Sequence, residues 1–256
     1  MNRRNFLQQS TLAAASVGAF STSSIVADQQ FYEWRTYELK SGSKRSVFDD
    51  YLQSALIPAL NATGVEHVGV FTEMGMSDPP KLHLLLPFSS LEAFAQSTQN
   101  ILKQGVYQQN TQSFNDSDTP DNPNFTRYES SLMRAFETIP QMKIPESTER
   151  IFEFRTYEGY NDDAVRRKIA MFNKGELPLF YETGLHPVFF GETLIGRKLP
   201  QLTYMITFRD IAERDANWQK FSNHPEWKKM SGLPEYANSV SRVNRLFLKP
   251  TSYSQV

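Results

Sequence analysis

The sequence predicts an α+β fold in which two tandem ferredoxin-like β-α-β-β-α-β repeats pair face to face within one chain. Phe31-Tyr-Glu-Trp-Arg-Thr-Tyr-Glu38 returns as Ile151-Phe-Glu-Phe-Arg-Thr-Tyr-Glu158. The offset of 120 residues then holds without a gap through Pro58/Pro178, Gly64/Gly184, Leu82/Leu202 and Phe88/Phe208. Self-similarity at a fixed offset marks duplicated architecture. Within each copy the apolar spacing switches between strand and helix periods in the ferredoxin-like order. A sheet of that kind carries helices on one face only, and a second copy supplies cover for the other.

The elements follow in order. Side chains alternate over 31–39 and 151–158. Trp34, Phe152 and Phe154 share one face, and Glu33, Arg35, Tyr37 with their copies Glu153, Arg155, Tyr157 share the other. An amphipathic helix follows, with Val47, Phe48, Tyr51, Leu52, Leu56 and Leu60 at three- and four-residue steps. Pro58 and Pro178 mark a bend or an end, and Gly64 and Gly184 stop the element. Two strands come next, 65–73 and 81–88 with copies 185–193 and 201–208. Ser90 and Asp210 are suited to cap a second helix. Last strands are expected over 132–139 and 241–248. Matching Arg134-Ala-Phe136 to Arg245-Leu-Phe247 changes the offset to 111, and the polar stretch 110–124 reads as a surface excursion that absorbs the difference. The aromatic runs Leu179-Phe-Tyr181 and Val188-Phe-Phe190 are expected in the core, and Trp227 at a barrel end.

The domain reading is a first repeat over 28–140, a linker over 141–150, a second repeat over 151–250 and a tail over 251–256. Residues 1–27 read as an address. Arg3-Arg4 precedes Asn-Phe-Leu, a weakly apolar stretch follows, and small residues lead to cleavage after Ala27. The arginine pair resembles the bacterial twin-arginine leader. That resemblance implies export of a folded protein to the periplasm or beyond, and such cargo often carries a cofactor.

Composition narrows function by exclusion. The 256 residues carry a formal net charge of −1, which becomes −3 once Arg3 and Arg4 leave with the leader. That balance argues against nucleic acid as a partner. With no cysteine, thiolate metal sites and cysteine nucleophiles are excluded. No apolar run after residue 30 reaches the roughly 20 residues of a membrane span. Phosphate loops, Gly-x-Ser-x-Gly elbows and His-Glu-x-x-His helices are missing from the sequence.

The opening strand Glu-x-Arg-Thr-Tyr-Glu, together with Trp218-Gln-Lys-Phe-Ser-Asn-His-Pro-Glu-Trp-Lys-Lys229, resembles the NIPSNAP family. Both motifs occur in the second repeat. The first keeps only the strand, with Gln104-Gly-Val-Tyr107 in place of His224-Pro-Glu-Trp227. The resemblance implies an intramolecular dimeric α/β barrel and hands over no agreed catalytic residues. Fold alone does not choose a reaction.

The candidate catalytic residues are therefore Glu33, Arg35, Tyr37, Glu153, Arg155 and Tyr157. If Trp34 and Phe154 face the helices, these six line the lumen. There an arginine could hold an anion, a tyrosine donate a hydrogen bond and a glutamate act as base; equally, they could form a structural network. His67 and His83, present in the first repeat alone, are read as lumen-facing ligand-binding candidates beside Arg35 and Arg155, with haem or a metal there as a cofactor option. Two functions stay open. One is an enzyme or binder of a small aromatic or acidic metabolite, acting by proton transfer or cofactor-free oxygenation. The other is a protein-interaction module, with further oligomerisation allowed in either case. The leader is testable directly: changing Arg3 and Arg4 together to lysine should hold the protein in the cytoplasm, as fractionation would show, and unaltered export would refute the twin-arginine reading.

Overall fold

The computed structural model describes residues 29–40, 42, 45–146 and 149–256; the leader expectation lies outside them. The first repeat comprises β1 (Phe31–Glu38), α1 (Arg45–Tyr51), a π-helical turn (Leu52–Leu56), α2 (Ile57–Ala62), β2 (Gly69–Glu73), β3 (Lys81–Phe88), α3 (Leu91–Leu102), α4 (Gly105–Asn110), α5 (Gln112–Ser117) and β4 (Arg127–Ala135). The second comprises β5 (Ile151–Glu158), α6 (Asp162–Met171), a π-helical turn (Phe172–Glu176), α7 (Leu177–Thr183), β6 (His186–Ile195), β7 (Gln201–Phe208), α8 (Ile211–Asn223), α9 (Pro225–Ser231) and β8 (Arg242–Pro250). The strands close one barrel in the order β1-β3-β2-β8-β5-β7-β6-β4. Every neighbouring pair is antiparallel. Hence β1, β2, β5 and β6 run one way, and a pseudo-two-fold axis along the barrel relates the repeats. We call the end where these four strands finish the mouth and the other end the base.

Local chemistry explains the elements. Ser90 Oγ accepts from Ala93 N at 3.0 Å and Asp210 Oδ1 from Glu213 N at 2.8 Å, capping α3 and α8 as expected. Gly184, at φ +80°, ends α7 in the left-handed region that only glycine enters without cost. Pro58 lacks the N–H that would bond the Ser54 carbonyl. The helix widens into its π turn just before the proline, and Asn110 Nδ2 takes that carbonyl at 2.9 Å. Part of the polar excursion is ordered: Phe114 of α5 is buried and stacks on Tyr51 with ring centroids 4.1 Å apart.

Three expectations need correcting. Glu38 pairs with Arg127 and Glu158 with Arg242, so the last strands match at an offset of 115 rather than 111, and β4 lies earlier than 132–139. Strand β2 begins only at Gly69, because the chain turns at His67 with φ +57°. Tyr181 is exposed and Trp227 packs against Phe221 beneath the helices, whereas Val188, Phe189 and Phe190 are fully buried. A bulge between Pro187 and Phe189 directs two successive residues, Val188 and Phe189, into the lumen cluster.

The largest correction concerns which face is inside. Trp34 and Phe154 do not face the helices; they stack on each other across the lumen, centroids 4.2 Å apart. Tyr32, Phe71, Leu85, Phe152, Phe189 and Met205 fill the space around and below them. Small and large residues trade places between the repeats, Gly69/Phe71 against Phe189/Gly191. A Cβ on Gly69 would lie 2.6 Å from the Phe71 ring. The segments after β4 and β8 close the base by crossing over. Lys143 N donates to Val188 O at 2.8 Å and Met142 packs into the lumen. Gln255 N donates to Val68 O at 3.0 Å and Val256 is buried there.

With the aromatics inside, Glu33, Arg35, Tyr37 and their copies face the helix layers, and the lumen placement of all six is overturned. Tyr37 and Tyr157 join the two helix-side cores. Arg35 Nε meets Glu33 Oε1 at 2.6 Å and Ser130 Oγ donates to the same oxygen at 2.7 Å, leaving Glu33 Oε2 buried with no partner among the described residues. Glu153 is better held. Arg214 grips it with two bonds of 2.9 and 3.0 Å, Trp218 Nε1 donates at 2.8 Å and Arg155 Nη1 at 3.0 Å. Unequal support predicts unequal loss. Arg35→Met leaves a buried carboxylate with one hydroxyl partner and should cost about 3–5 kcal/mol; Arg155→Met leaves Glu153 its Arg214 fork and should cost clearly less, as thermal melts would show. Expressed alone, residues 28–140 or 146–256 would expose half of the lumen surface, so each should aggregate or self-associate, and co-expression should restore solubility. Two soluble monomeric halves, seen by light scattering, would contradict that burial.

Candidate functional site

The polar residues left in the barrel gather at the mouth. Above Trp34 on the same face of β1 stands Thr36, whose Oγ1 lies 3.0 Å from His83 Nδ1. His83 Nε2 lies 3.1 Å from Glu73 Oε1, and the imidazole stacks on Trp34 at 5.2 Å and 18°. His83 is 2% exposed, whereas Thr36, Glu73 and Phe154 are partly open to solvent. The hydrogen bond from His83, with smaller help from Ser77 and Lys81, holds the Glu73 carboxyl below its usual range against the opposing effect of burial. An ionised Glu73 must accept, so the neutral form of His83 carries its proton on Nε2 and presents a bare Nδ1 to the Thr36 hydroxyl. Thr36, His83 and Glu73 thus have the order of a hydroxyl, a base and an orienting carboxylate.

The second repeat places Thr156, Thr203 and Thr193 at the same three positions, with hydroxyl oxygens 3.5 and 3.4 Å apart. No member of that chain can take up a proton near neutrality. The base is therefore confined to one side of a pseudo-symmetric mouth. Around it Glu158 accepts from Asn244 Nδ2 at 2.7 Å, and Arg197 pairs with Glu129 at 2.8 Å.

The expected ligand residues separate accordingly. His83 is on the lumen side, as its alternation predicts. His67 is not: it is exposed in the turn before β2, at the base end, and its neighbour Val65 belongs to the helix-side core. The two histidines lie towards opposite ends of the barrel and form no shared ligand pair. Among the described residues no three His, Asp or Glu side chains cluster to hold a metal. Arg35 and Arg155 are engaged by carboxylates behind the sheet. Burial is the largest single influence and works against the charge of Arg35, but the hydrogen bond to Glu33, the attraction of its carboxylate and smaller help from Tyr37 together outweigh it and hold the guanidinium charged.

Sequence reasoning missed Glu73, Thr36 and a second buried network. Lys168 Nζ meets Glu176 Oε2 at 2.6 Å under α6, with Lys168 over the Phe172 ring at 4.4 Å and the Tyr157–Tyr204 hydroxyls 2.8 Å apart nearby. Burial pushes the Glu176 carboxyl up while Lys168 pulls it back. The first repeat has Phe48, Leu56 and Leu84 at the Lys168, Glu176 and Tyr204 positions. Subtracting 120 from each number would have exposed these differences.

Residues 152–255 match the NIPSNAP family model. No curated protein matches the sequence. Among solved structures, a proposed monooxygenase from Lactobacillus acidophilus NCFM is similar in fold, with TM-score 0.58, 8% identity, 87% of this chain covered and 94% of that one. A proposed monooxygenase from Fusobacterium nucleatum gives TM-score 0.56 at 11% identity, with 88% and 93% covered. A NIPSNAP-like domain protein from Burkholderia xenovorans is 21% identical, with TM-score 0.37, 42% of this chain and 90% of that chain covered. The first two share the closed α/β barrel across both repeats. The match to the NIPSNAP family model thus falls on the second repeat, over residues 152–255.

Proposed function

We propose that the chain is an exported NIPSNAP-family protein whose barrel mouth binds a small planar aromatic molecule. The observation that carries this reading is the Trp34–Phe154 stack, which puts aromatic carbon at the floor of the mouth, with Phe154 partly open to solvent. Hydroxyl, imidazole and carboxylate groups stand around that floor, the mix of apolar surface and few convergent polar groups typical of small-molecule sites. The acidic-metabolite alternative lacks its anchors, because Arg35 and Arg155 point away. Two proteins of the same fold carry names that propose monooxygenases, which is compatible with small-molecule chemistry here.

A second reading, a protein-interaction module, draws on one observation: Met76, Ile195 and Leu199 at the mouth end are exposed. Equilibrium dialysis with 4-nitrophenol as the reporter distinguishes the two. Native protein should bind it with quenching of tryptophan fluorescence, and Phe154→Ala should weaken binding about tenfold, some 1.4 kcal/mol, with the melting curve of the free protein still cooperative. Unchanged affinity in Phe154→Ala would move the site elsewhere, and no binding by native protein would favour the interaction module.

A further inference from the structure

We propose that Thr36 is the substrate-facing end of a proton relay, Thr36–His83–Glu73, that deprotonates the hydroxyl of a phenol or enol seated on the Trp34–Phe154 floor. The inference rests on the mouth being a binding site for planar aromatics and adds the chemistry done there.

Both nitrogens of His83 are already engaged, Nδ1 with Thr36 and Nε2 with Glu73, and the ring is buried against Trp34. A molecule in the mouth therefore cannot reach the imidazole itself. It can reach Thr36, which shares the lumen face with Trp34 and is partly exposed. The tautomer set by Glu73 leaves Nδ1 as an acceptor, so the Thr36 hydroxyl points its proton at His83 and its lone pairs outward. A hydroxyl donor on the aromatic floor would meet those lone pairs.

The step balances without any further reactant. The substrate O–H proton moves to Thr36 Oγ1 as the Thr36 proton moves to His83 Nδ1. The products are a phenolate or enolate, an unchanged threonine and an imidazolium whose Nε2–H remains bonded to the Glu73 carboxylate. No electron changes partner. Glu73 stabilises the imidazolium and fixes the ring, the part a carboxylate plays in hydroxyl–histidine–carboxylate sites generally. The other charged groups on the lumen-facing sides of these strands and their neighbours are Glu38 on β1, Lys81 on β3, Arg127 and Glu129 on β4 and Arg242 on β8; Glu129 stands in register with Thr36 and is paired with Arg197 at 2.8 Å. Thr156–Thr203–Thr193 offers the same hydroxyls with no base behind them, so the second repeat cannot repeat the step.

The test uses the full chain and 4-nitrophenol, whose phenolate and phenol forms absorb at different wavelengths. At a pH where the free dye is mainly protonated, the phenolate-to-phenol ratio of dye bound to native protein should exceed that of free dye about tenfold, one unit on the pKa scale. Thr36→Val keeps the shape and the strand preference and removes the hydroxyl; it should still bind the dye but return the ratio to that of free dye. His83→Gln should do the same, and if it fails to fold, Thr36→Val alone decides. A role for Thr36 in packing only would alter the melting temperature or the affinity and leave the ratio untouched, and that result overturns the relay. Binding to native protein without excess phenolate also overturns the relay while leaving the aromatic site standing. Failure of native protein to bind the dye removes the site and the relay together.

Discussion

The lumen of this barrel is packed by aromatic side chains from both repeats, and everything else is arranged around that packing. The Trp34–Phe154 stack sits where the two halves meet. Neither sheet could bury its inner face alone, since each would leave a surface of Phe, Tyr, Trp, Met and Leu in water. Burial of that surface accounts for the seams. The β2–β8 and β4–β6 pairings that join the repeats are short, and the second carries a bulge, so hydrogen bonding across them is secondary to what they enclose. It also accounts for the base, where each repeat sends its segment after the last strand across to the other.

Behind the sheets the repeats have gone separate ways. The first packs its helices on an apolar layer, with Phe48, Leu56, Leu84 and Phe94. The second has Lys168, Glu176, Tyr204 and Arg214 at those places and satisfies them with ion pairs and ring contacts. Buried ion pairs are weak evidence for added stability, because desolvation offsets most of the attraction. Their presence in one repeat alone, next to an apolar copy of the same scaffold, shows that the fold does not require them.

Much of this architecture was legible in the sequence. The repeat gave the element order, the caps at Ser90 and Asp210, and strands β1, β3, β5 and β7 nearly residue for residue. Which face looked inward was not legible. Trp34 and Phe154 alternate with Glu33, Arg35 and Tyr37, and either set can be buried when both faces of a sheet are covered, so period-two patterning carries no sign. Assigning polar residues to the lumen followed an expectation about pockets, and the aromatic set prevailed because more apolar surface leaves water that way. The error at β4 has a related cause. Offsets of 111 and 115 differ by an even number, so either alignment keeps the same residues inside, and only the ladder with β1 distinguishes them. Of the candidate site, His83 was visible as a residue without a copy. Glu73 and Thr36 were not, because the hydrogen bonds joining them span 10 and 47 positions of chain.

The pseudo-two-fold axis runs down the centre of the barrel, so the mouth lies on it. Two identical halves would present any guest with two indistinguishable ways to sit, turned half a revolution apart, and each would see the same surroundings. Joining the halves in one chain removes that degeneracy. His83 faces Thr203 across the axis, Glu73 faces Thr193, and glycine and phenylalanine have traded places in the second strands. A chain of this kind can give an axial chamber a handedness, one wall basic and one inert, that no assembly of equal copies could maintain.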